Sequence, residues 1–205
     1  MMVRMGDPRR STGRAVLRWG AVAAVALLAT ACSTGGTPDD GDPPPAESAA
    51  LRVQTVAGAD ELDERTRAEV EGAVGDVLSA YVVEAFLGDF PREEFVSSFD
   101  SFTSRAARSA AGDINRLTAA RVRDATSVRA TELDARLSFL THAGDVHGGT
   151  ATVHFAFEAT MEDGTRRPLV LDGRFLLDAD GGNWSVFGYD VTFDNGRQAD
   201  AESLP

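Results

Sequence analysis

Few side chains in this sequence could act as nucleophiles, metal ligands or general bases. The 205 residues include one cysteine, Cys32, and three histidines, His142, His147 and His154. A single cysteine excludes an internal disulfide and any metal site built from several cysteines. All 20 basic residues are arginine, which excludes chemistry that depends on a lysine, such as a Schiff base or the phosphate contact of a P-loop.

Tyrosine, histidine and carboxylate side chains remain as candidates for acid–base chemistry. A pocket that catalyses proton transfer needs a carboxylate or imidazole beside a hydrogen-bond donor in apolar surroundings. Tyr81, His154 and Tyr189, with Glu158 and Asp190, are the residues that could supply these groups. We therefore consider Tyr81, His154 and Tyr189 as a candidate pocket.

The patterns around these three residues favour structural roles. His154 lies between the apolar residues Val153 and Phe155, so we expect it to point away from the buried face of a strand. Tyr189 has the parity of the apolar residues in the last predicted strand, and Tyr81 lies on the apolar stripe of a predicted helix. Both are expected in the core with satisfied hydroxyl groups. The sequence accordingly assigns no catalytic residue.

Metal and phosphate sites are also disfavoured. His142 and His147 flank a predicted turn that contains Asp145, but two histidines and one carboxylate in a turn make a weak zinc site. The glycine pairs at 148–149 and 181–182 are read as turn residues between strands, not as a loop before a helix, which disfavours a phosphate cradle. The sequence predicts no metal and no cofactor.

Residues 1–31 have the three zones of a secretory signal. A basic segment from Arg4 to Arg18 precedes the apolar run WGAVAAVALLA at 19–29, and two small residues follow it, Thr30 and Ala31. About a dozen apolar residues fall short of the roughly 20 that cross a bilayer as a helix. We therefore expect a cleaved signal peptide rather than a retained membrane helix.

The sequence LATAC at residues 28–32 resembles the lipobox of bacterial lipoprotein precursors. This resemblance implies a diacylglyceryl thioether on Cys32, cleavage before it, and a lipid anchor at the extracytoplasmic face of the cell membrane. Two acyl chains hold a protein on a bilayer stably. The alternative is an ordinary signal peptide followed by a chance cysteine. Arg9-Arg10 lacks the hydrophobic pair expected downstream in a twin-arginine signal.

Residues 32–58 are expected to form the lipidated cysteine and a disordered spacer. The segment STGGTPDDGDPPPAESAA at 33–50 contains no leucine, isoleucine, valine, methionine or aromatic residue. Such a segment cannot bury enough apolar surface to offset the entropy lost on ordering. The spacer would hold the folded domain away from the membrane.

The formal charge of the chain is −12 at pH 7. Residues 1–31 hold five arginines and one aspartate, so the part that follows carries −16. This acidity excludes nucleic acid as an expected partner, because phosphate backbones are repelled. It also provides no polybasic attraction to anionic lipid. The lipid on Cys32 is therefore the expected membrane contact.

Residues 59–195 are expected to form one α+β domain, followed by a flexible tail at 196–205. Apolar residues at three- and four-residue steps predict helices over 60–87, after Pro91, and over 103–117. From Val128 the apolar period changes to two, which predicts four strands separated by turns. The last strand is expected to turn four side chains inward, Phe187, Tyr189, Val191 and Phe193. Three N-terminal helices on a bent four-stranded antiparallel sheet are the predicted fold.

The order of elements and the segment DGGNWSVFGYDV at 180–191 resemble the nuclear-transport-factor-2-like and cystatin-related cone folds, as seen in secreted actinobacterial proteins. Such folds carry enzymes, binding modules and assembly domains alike. We expect a non-catalytic module of the cell envelope that binds a small apolar ligand or another envelope protein. The alternative is a small cone-fold enzyme, isomerase- or dehydratase-like, acting on an apolar substrate. A third is a structural role in an oligomer.

Overall fold

The structure is a computed structural model that describes residues 47–196. Three α-helices lie along the chain between the first strand and the other four: β1 (Arg52–Ala57), α1 (Glu64–Val82), α2 (Ser104–Gly112), α3 (Ile114–Leu117), β2 (Ser127–His142), β3 (Asp145–Thr160), β4 (Arg166–Asp180) and β5 (Asn183–Asp194). A π-helical turn at Val83–Leu87 extends α1, and 3₁₀ turns occupy Val96–Phe99 and Ala119–Val122. The predicted signal peptide, Cys32, the spacer up to residue 46 and the tail from residue 197 lie outside the described residues.

The five strands form one mixed sheet in the order β1-β2-β3-β4-β5. Strands β2 to β5 pair with antiparallel neighbours, whereas β1 lies parallel to β2. The prediction of three N-terminal helices on a four-stranded antiparallel sheet is therefore wrong. The sheet has a fifth strand, and the helices lie in the middle of the chain, before β2. Residues 52–57, which the sequence assigns to the spacer, form that fifth strand.

Strand β1 is difficult to predict because it is short and its partner is distant in sequence. Arg52 pairs with Asp134, 82 residues later, and Val53 pairs with Ala135. Only Val53 and Thr55 of its six residues are half-buried, so the alternation of apolar and polar side chains is weak. No local pattern encodes a parallel pairing over such a separation. The strand nevertheless covers the edge of β2, which would otherwise be unpaired.

Asp63 is the N-cap of helix α1 and sets its first residue. The backbone N–H of Thr66 donates to Oδ1 of Asp63 at 2.8 Å, which satisfies one of the free N–H groups of the first turn. The same contact holds the pKa of Asp63 below its ordinary value. The helix therefore begins at Glu64, four residues after the predicted start at Asp60.

The helices cover one face of the sheet, which we call the helical face, and leave the other, the outer face, uncovered. The core between helices and sheet is rich in aromatic rings. Phe86 stacks on Phe157 of β3 with ring centroids 4.3 Å apart, and Tyr81 meets Phe175 of β4 at 5.1 Å. Alternate residues of β2, β3 and β4 are buried against this core. Burial of such large rings is the main source of stability for a domain of this size.

The sheet has two distinct ends. At the proximal end, the N–H of Ala49 donates to the carbonyl of Ala130 at 3.0 Å, so this part of the segment predicted as spacer lies beside the first residues of β2. At the distal end, two-residue turns join β2 to β3 and β4 to β5. These turns use Ala143-Gly144 and Gly181-Gly182, all with φ between 55° and 87°, a conformation that glycine adopts without strain.

Candidate binding surfaces

The interior on the helical face is filled by side chains. Tyr81 is 1% exposed and its ring contacts Phe86, Phe102 and Phe175. Its hydroxyl donates a hydrogen bond to the carbonyl oxygen of Leu117. Burial raises the pKa of Tyr81 well above its ordinary value, so the hydroxyl remains protonated. Tyr81 therefore has the structural role that its place on the helix stripe predicts.

Tyr189 lies at the margin of this core, on β5. Its hydroxyl donates to Oδ2 of Asp113 at 2.9 Å. Burial and this hydrogen bond raise the pKa of Tyr189 to about 12. The contact ties β5 to the residue between α2 and α3, and Arg116 strengthens the same junction by donating to the carbonyl of Val191 at 2.9 Å.

His154 lies on the outer face, as the alternation around it predicts. Its Nδ1 and Oδ1 of Asp172, its partner on β4, are 2.7 Å apart. On its other side, Asp134 of β2 pairs with Arg52 of β1 through two hydrogen bonds of 2.6 and 2.8 Å. These residues form one row across four strands, Arg52-Asp134-His154-Asp172.

This row is a network of alternating charge. The hydrogen bond to Asp172 raises the pKa of His154, with further contributions from Glu132 and Asp134. Arg52 in turn lowers the pKa of Asp134. The imidazole therefore favours its charged form, in which it attracts carboxylates on both sides. Thr192 of β5 continues the row, and its hydroxyl donates to the backbone carbonyl of Asp172 at 3.4 Å. The row therefore links neighbouring strands across the outer face.

The three residues of the candidate pocket do not converge. Tyr81 and Tyr189 lie on the helical side of the sheet, whereas His154 lies on its outer face. The two carboxylates considered with them are occupied by arginines: Glu158 pairs with Arg129 and Asp190 pairs with Arg174, each at 2.9 Å. The structure thus distributes these groups over separate contacts.

A shallow groove lies at the distal end of the outer face. Its apolar parts are Leu140, Leu176 and Phe187, and its rim includes His147 and Asp178. Leu140 is 67% exposed and Phe187 is 50% exposed, which is unusual for side chains of this size in one patch. The groove has a volume of about 420 Å³. We call it the distal groove.

Two local irregularities create the distal groove. The register of β4 and β5 shifts between Leu176 and Leu177, so Phe187 becomes an extra residue and turns outward. The expectation that Phe187 faces the core is therefore wrong. Gly148 and Gly149 lie within β3 rather than in a turn. A Cβ on Gly148 would lie 2.7 Å from the carbonyl oxygen of Leu177 on β4, and one on Gly149 would lie 2.8 Å from that of Ser138 on β2. Neither position therefore has room for a side chain in the groove.

A larger cleft lies at the proximal end, between the loop at 91–95 and the segment at 114–124. Eight residues line this proximal cleft: Glu93, Phe95, Ile114, Asn115, Ala120, Arg121, Arg123 and Asp124. Its volume is about 800 Å³. The two walls are joined by the N–H of Arg92, which donates to the carbonyl of Arg123 at 2.9 Å.

Sequence reasoning missed both the groove and the cleft. By sequence alternation Phe187 belongs with the inward-facing residues of its strand. The bulge between β4 and β5 turns it to the outer face instead. Arg121 and Arg123 lie in a short 3₁₀ turn and just after it, where periodicity has little meaning. The one available signal for the cleft is compositional, because residues 105–123 hold five arginines and one acid, whereas the segments on either side of them are acidic.

The comparisons with known proteins place the chain in no family. No family model, curated protein or solved structure matches it. Within residues 47–196, no helix has the length and hydrophobicity to cross a membrane. In the same residues, no three histidine, cysteine, aspartate or glutamate side chains are grouped as metal ligands; the rings of His142 and His147 are 6.4 Å apart.

Proposed function

We propose that this protein is a lipoprotein anchored through Cys32 at the extracytoplasmic face of the cell membrane, and that its domain binds another envelope protein without catalysing a reaction. The observation that carries the binding role is the distal groove. Leu140 and Phe187 expose more apolar surface there than the fold needs. The filled core favours recognition at the surface over recognition of a small apolar ligand inside.

The distal groove lies at the end of the sheet remote from the contact between Ala49 and Ala130. Leu140 lies ten residues further along β2 than Ala130, roughly 33 Å away for an extended strand. A partner can therefore occupy the groove without displacing the segment that pairs at Ala49.

The rim of the groove indicates the chemistry of that partner. Asp178 lines the groove, and Asp145 and Asp180 flank the two distal turns. No arginine lines it. An apolar side chain flanked by lysine or arginine on the partner would complement both the groove and its acidic rim.

A site-specific crosslinking experiment in cells tests this proposal. A benzoylphenylalanine in place of Phe187 should crosslink to one envelope protein, through a segment with apolar and basic residues. The same group in place of Val83, which is 48% exposed at the end of α1, is the control and should not capture that protein. Leu140→Asp should reduce the crosslink from position 187 about tenfold or more, because central apolar contacts dominate interfaces.

Three outcomes would overturn the proposed interface. They are equal crosslinking from positions 83 and 187, capture of a second copy of this chain alone, and a yield that Leu140→Asp leaves unchanged. Leu140 is exposed, so its replacement should not alter the circular dichroism spectrum. An unchanged spectrum shows that any loss of crosslinking reflects the groove and not unfolding.

A further inference from the structure

Charged side chains of both signs line the proximal cleft without pairing. Arg121, Arg123, Glu93 and Asp124 form no ion pair and no side-chain hydrogen bond within residues 47–196. Nearby arginines do pair: Arg92 with Glu84, and Arg116 with Asp113, for example. All four residues are exposed to solvent, so these two cations and two anions are open to the charged groups of a ligand in the cleft.

The remaining lining of the cleft is apolar or amide in character. Phe95 is 2% exposed and lies beside Ile114 and Ala120. The guanidinium of Arg92 stacks on the Phe95 ring at 4.8 Å, which holds this part of the lining in place. Asn115 adds an amide that can both donate and accept hydrogen bonds.

The balance of charge restricts which ligand fits. A polyanion would be repelled by Glu93 and Asp124, and a polycation by Arg121 and Arg123. A molecule that carries one anionic and one ammonium group would neutralise both pairs. The volume of about 800 Å³ lies in the range of small-molecule sites, roughly 300–1,000 Å³. The walls are therefore matched to a small zwitterion with an apolar middle.

We propose that the proximal cleft binds such a zwitterion, and that a short peptide with free termini is its source. The carboxylate lies at Arg121 and Arg123, which bind carboxylates through charge-assisted hydrogen bonds. The ammonium group lies at Glu93 and Asp124. Apolar side chains of the peptide pack on the partly exposed Ile114 and Ala120, and the Asn115 amide bonds the peptide backbone. This site is separate from the distal groove and does not depend on it.

Calorimetric titration of the full chain in a non-ionic detergent tests the proposal with defined peptides. Trialanine with free termini should bind, with dialanine and tetra-alanine showing whether one length is preferred. N-acetylated trialanine lacks the ammonium group, and trialanine amide lacks the carboxylate. Each blocked form should bind about tenfold or more weakly, because each loses a charge-assisted contact.

Paired substitutions assign each terminus of the peptide to one pair of charged side chains. With Arg121→Gln and Arg123→Gln together, trialanine and its amide should bind equally weakly. With Glu93→Gln and Asp124→Asn together, trialanine and its acetylated form should bind equally weakly. The matched controls remove the same charges elsewhere: Arg105→Gln with Arg108→Gln on α2, and Glu64→Gln with Asp76→Asn on α1. All four control residues are exposed, and these controls should bind as the unchanged protein does.

A zwitterionic phospholipid headgroup has the same chemistry as a peptide, so the experiment includes it as a separate arm. Binding of phosphoethanolamine and of phosphatidylethanolamine vesicles, with no binding of trialanine, would retain the zwitterion site and assign the headgroup as its source. Binding of neither zwitterion would overturn the proposal, as would equal binding of free and blocked peptides or cleft variants that match the controls. Leu140→Asp should leave peptide binding unchanged, so failure of the distal groove and failure of this site are distinguishable.

Discussion

At the scale of single residues, His154 makes the stability of the protein depend on pH. Its pKa is raised in the folded state by Asp172, so the protonated imidazole stabilises the fold. That contribution is complete below the ordinary value of 6.5 and is lost as the pH rises through the raised pKa. The free energy of unfolding should therefore be higher for the unchanged protein than for Asp172→Asn at low pH. At high pH the two values should be nearly equal.

The expected difference is small, because His154 and Asp172 side chains are 46% and 55% exposed. Urea unfolding should show less than about 1 kcal/mol between the two proteins at pH about 5.5 and almost none at pH about 8.5. The direct measurement is the titration of the His154 ring by NMR, which should give a lower pKa in Asp172→Asn. A His154 pKa at or below 6.5 in the unchanged protein would contradict the interpretation.

The two tyrosines differ in what their hydroxyl groups support. Tyr81→Phe leaves the Leu117 carbonyl in the core without this donor and should lower the free energy of unfolding by about 1–3 kcal/mol. Tyr189→Phe leaves Asp113, which is partly exposed and also contacts Arg116, so about 0.5–1.5 kcal/mol is expected. Chemical denaturation of both variants checks this order. A larger loss for Tyr189→Phe would show that the junction at Asp113, and not the core contact, is the more important.

At the scale of elements, β1 is integral to the sheet. Cγ2 of Val53 lies 3.6 Å from the position of a Cβ on Gly75 of α1, so β1 contacts both the sheet and the helix. Val53→Asp would place a charge at this contact and should lower the free energy of unfolding by about 1–3 kcal/mol. Gln54→Asp is the control, because Gln54 is exposed and pairs with Arg136. Equal effects of the two substitutions in urea unfolding would show that β1 contributes little.

At the scale of the whole molecule, the net charge conceals a separation of charge along the chain. Residues 60–100 hold twelve acids and three arginines, whereas residues 105–123 hold five arginines and one acid. The first segment includes α1, and the second includes α2, α3 and one side of the proximal cleft. The overall charge of −12 therefore does not represent the local charge at the proximal cleft, where two arginines and two acids line the proposed ligand site.

The proposed anchor also belongs to this scale. About 20 residues join Cys32 to Arg52, a length that reaches at most roughly 70 Å when fully extended. Cys32→Ser should release the protein from the membrane fraction or leave the precursor uncleaved, because the thioether cannot form. Metabolic labelling with a fatty acid should mark the unchanged protein and not the variant. Absence of label from the unchanged protein would defeat the lipoprotein assignment.

Several features could be predicted from the sequence because they depend on local chemistry. The change of apolar period at Val128 predicts the transition from helices to strands, and the structure has β2 beginning at Ser127. The alternation around His154 predicts its exposure, and the stripe on α1 predicts the burial of Tyr81. Each of these features depends only on residues a few positions away along the same helix or strand. The periodicity of a single sequence is therefore enough to predict it.

Other features are decided only by the tertiary structure. β1 forms because β2, 82 residues away at the Arg52–Asp134 pair, offers an open edge, and nothing local in β1 specifies that partner. Phe187 faces outward because of a register shift against β4, which a one-strand pattern cannot show. Arg121 and Arg123 face a cleft with Glu93 because a loop and a turn distant in sequence meet at the proximal end. Both proposed binding surfaces arise from such long-range contacts. The sequence by itself predicted α1, the strands β2 to β5 and the inward or outward side of most strand residues, because these depend on local periodicity. It missed β1 and placed a helix after Pro91 where the structure has only a 3₁₀ turn at Val96–Phe99, and the anchor at Cys32 stays a prediction.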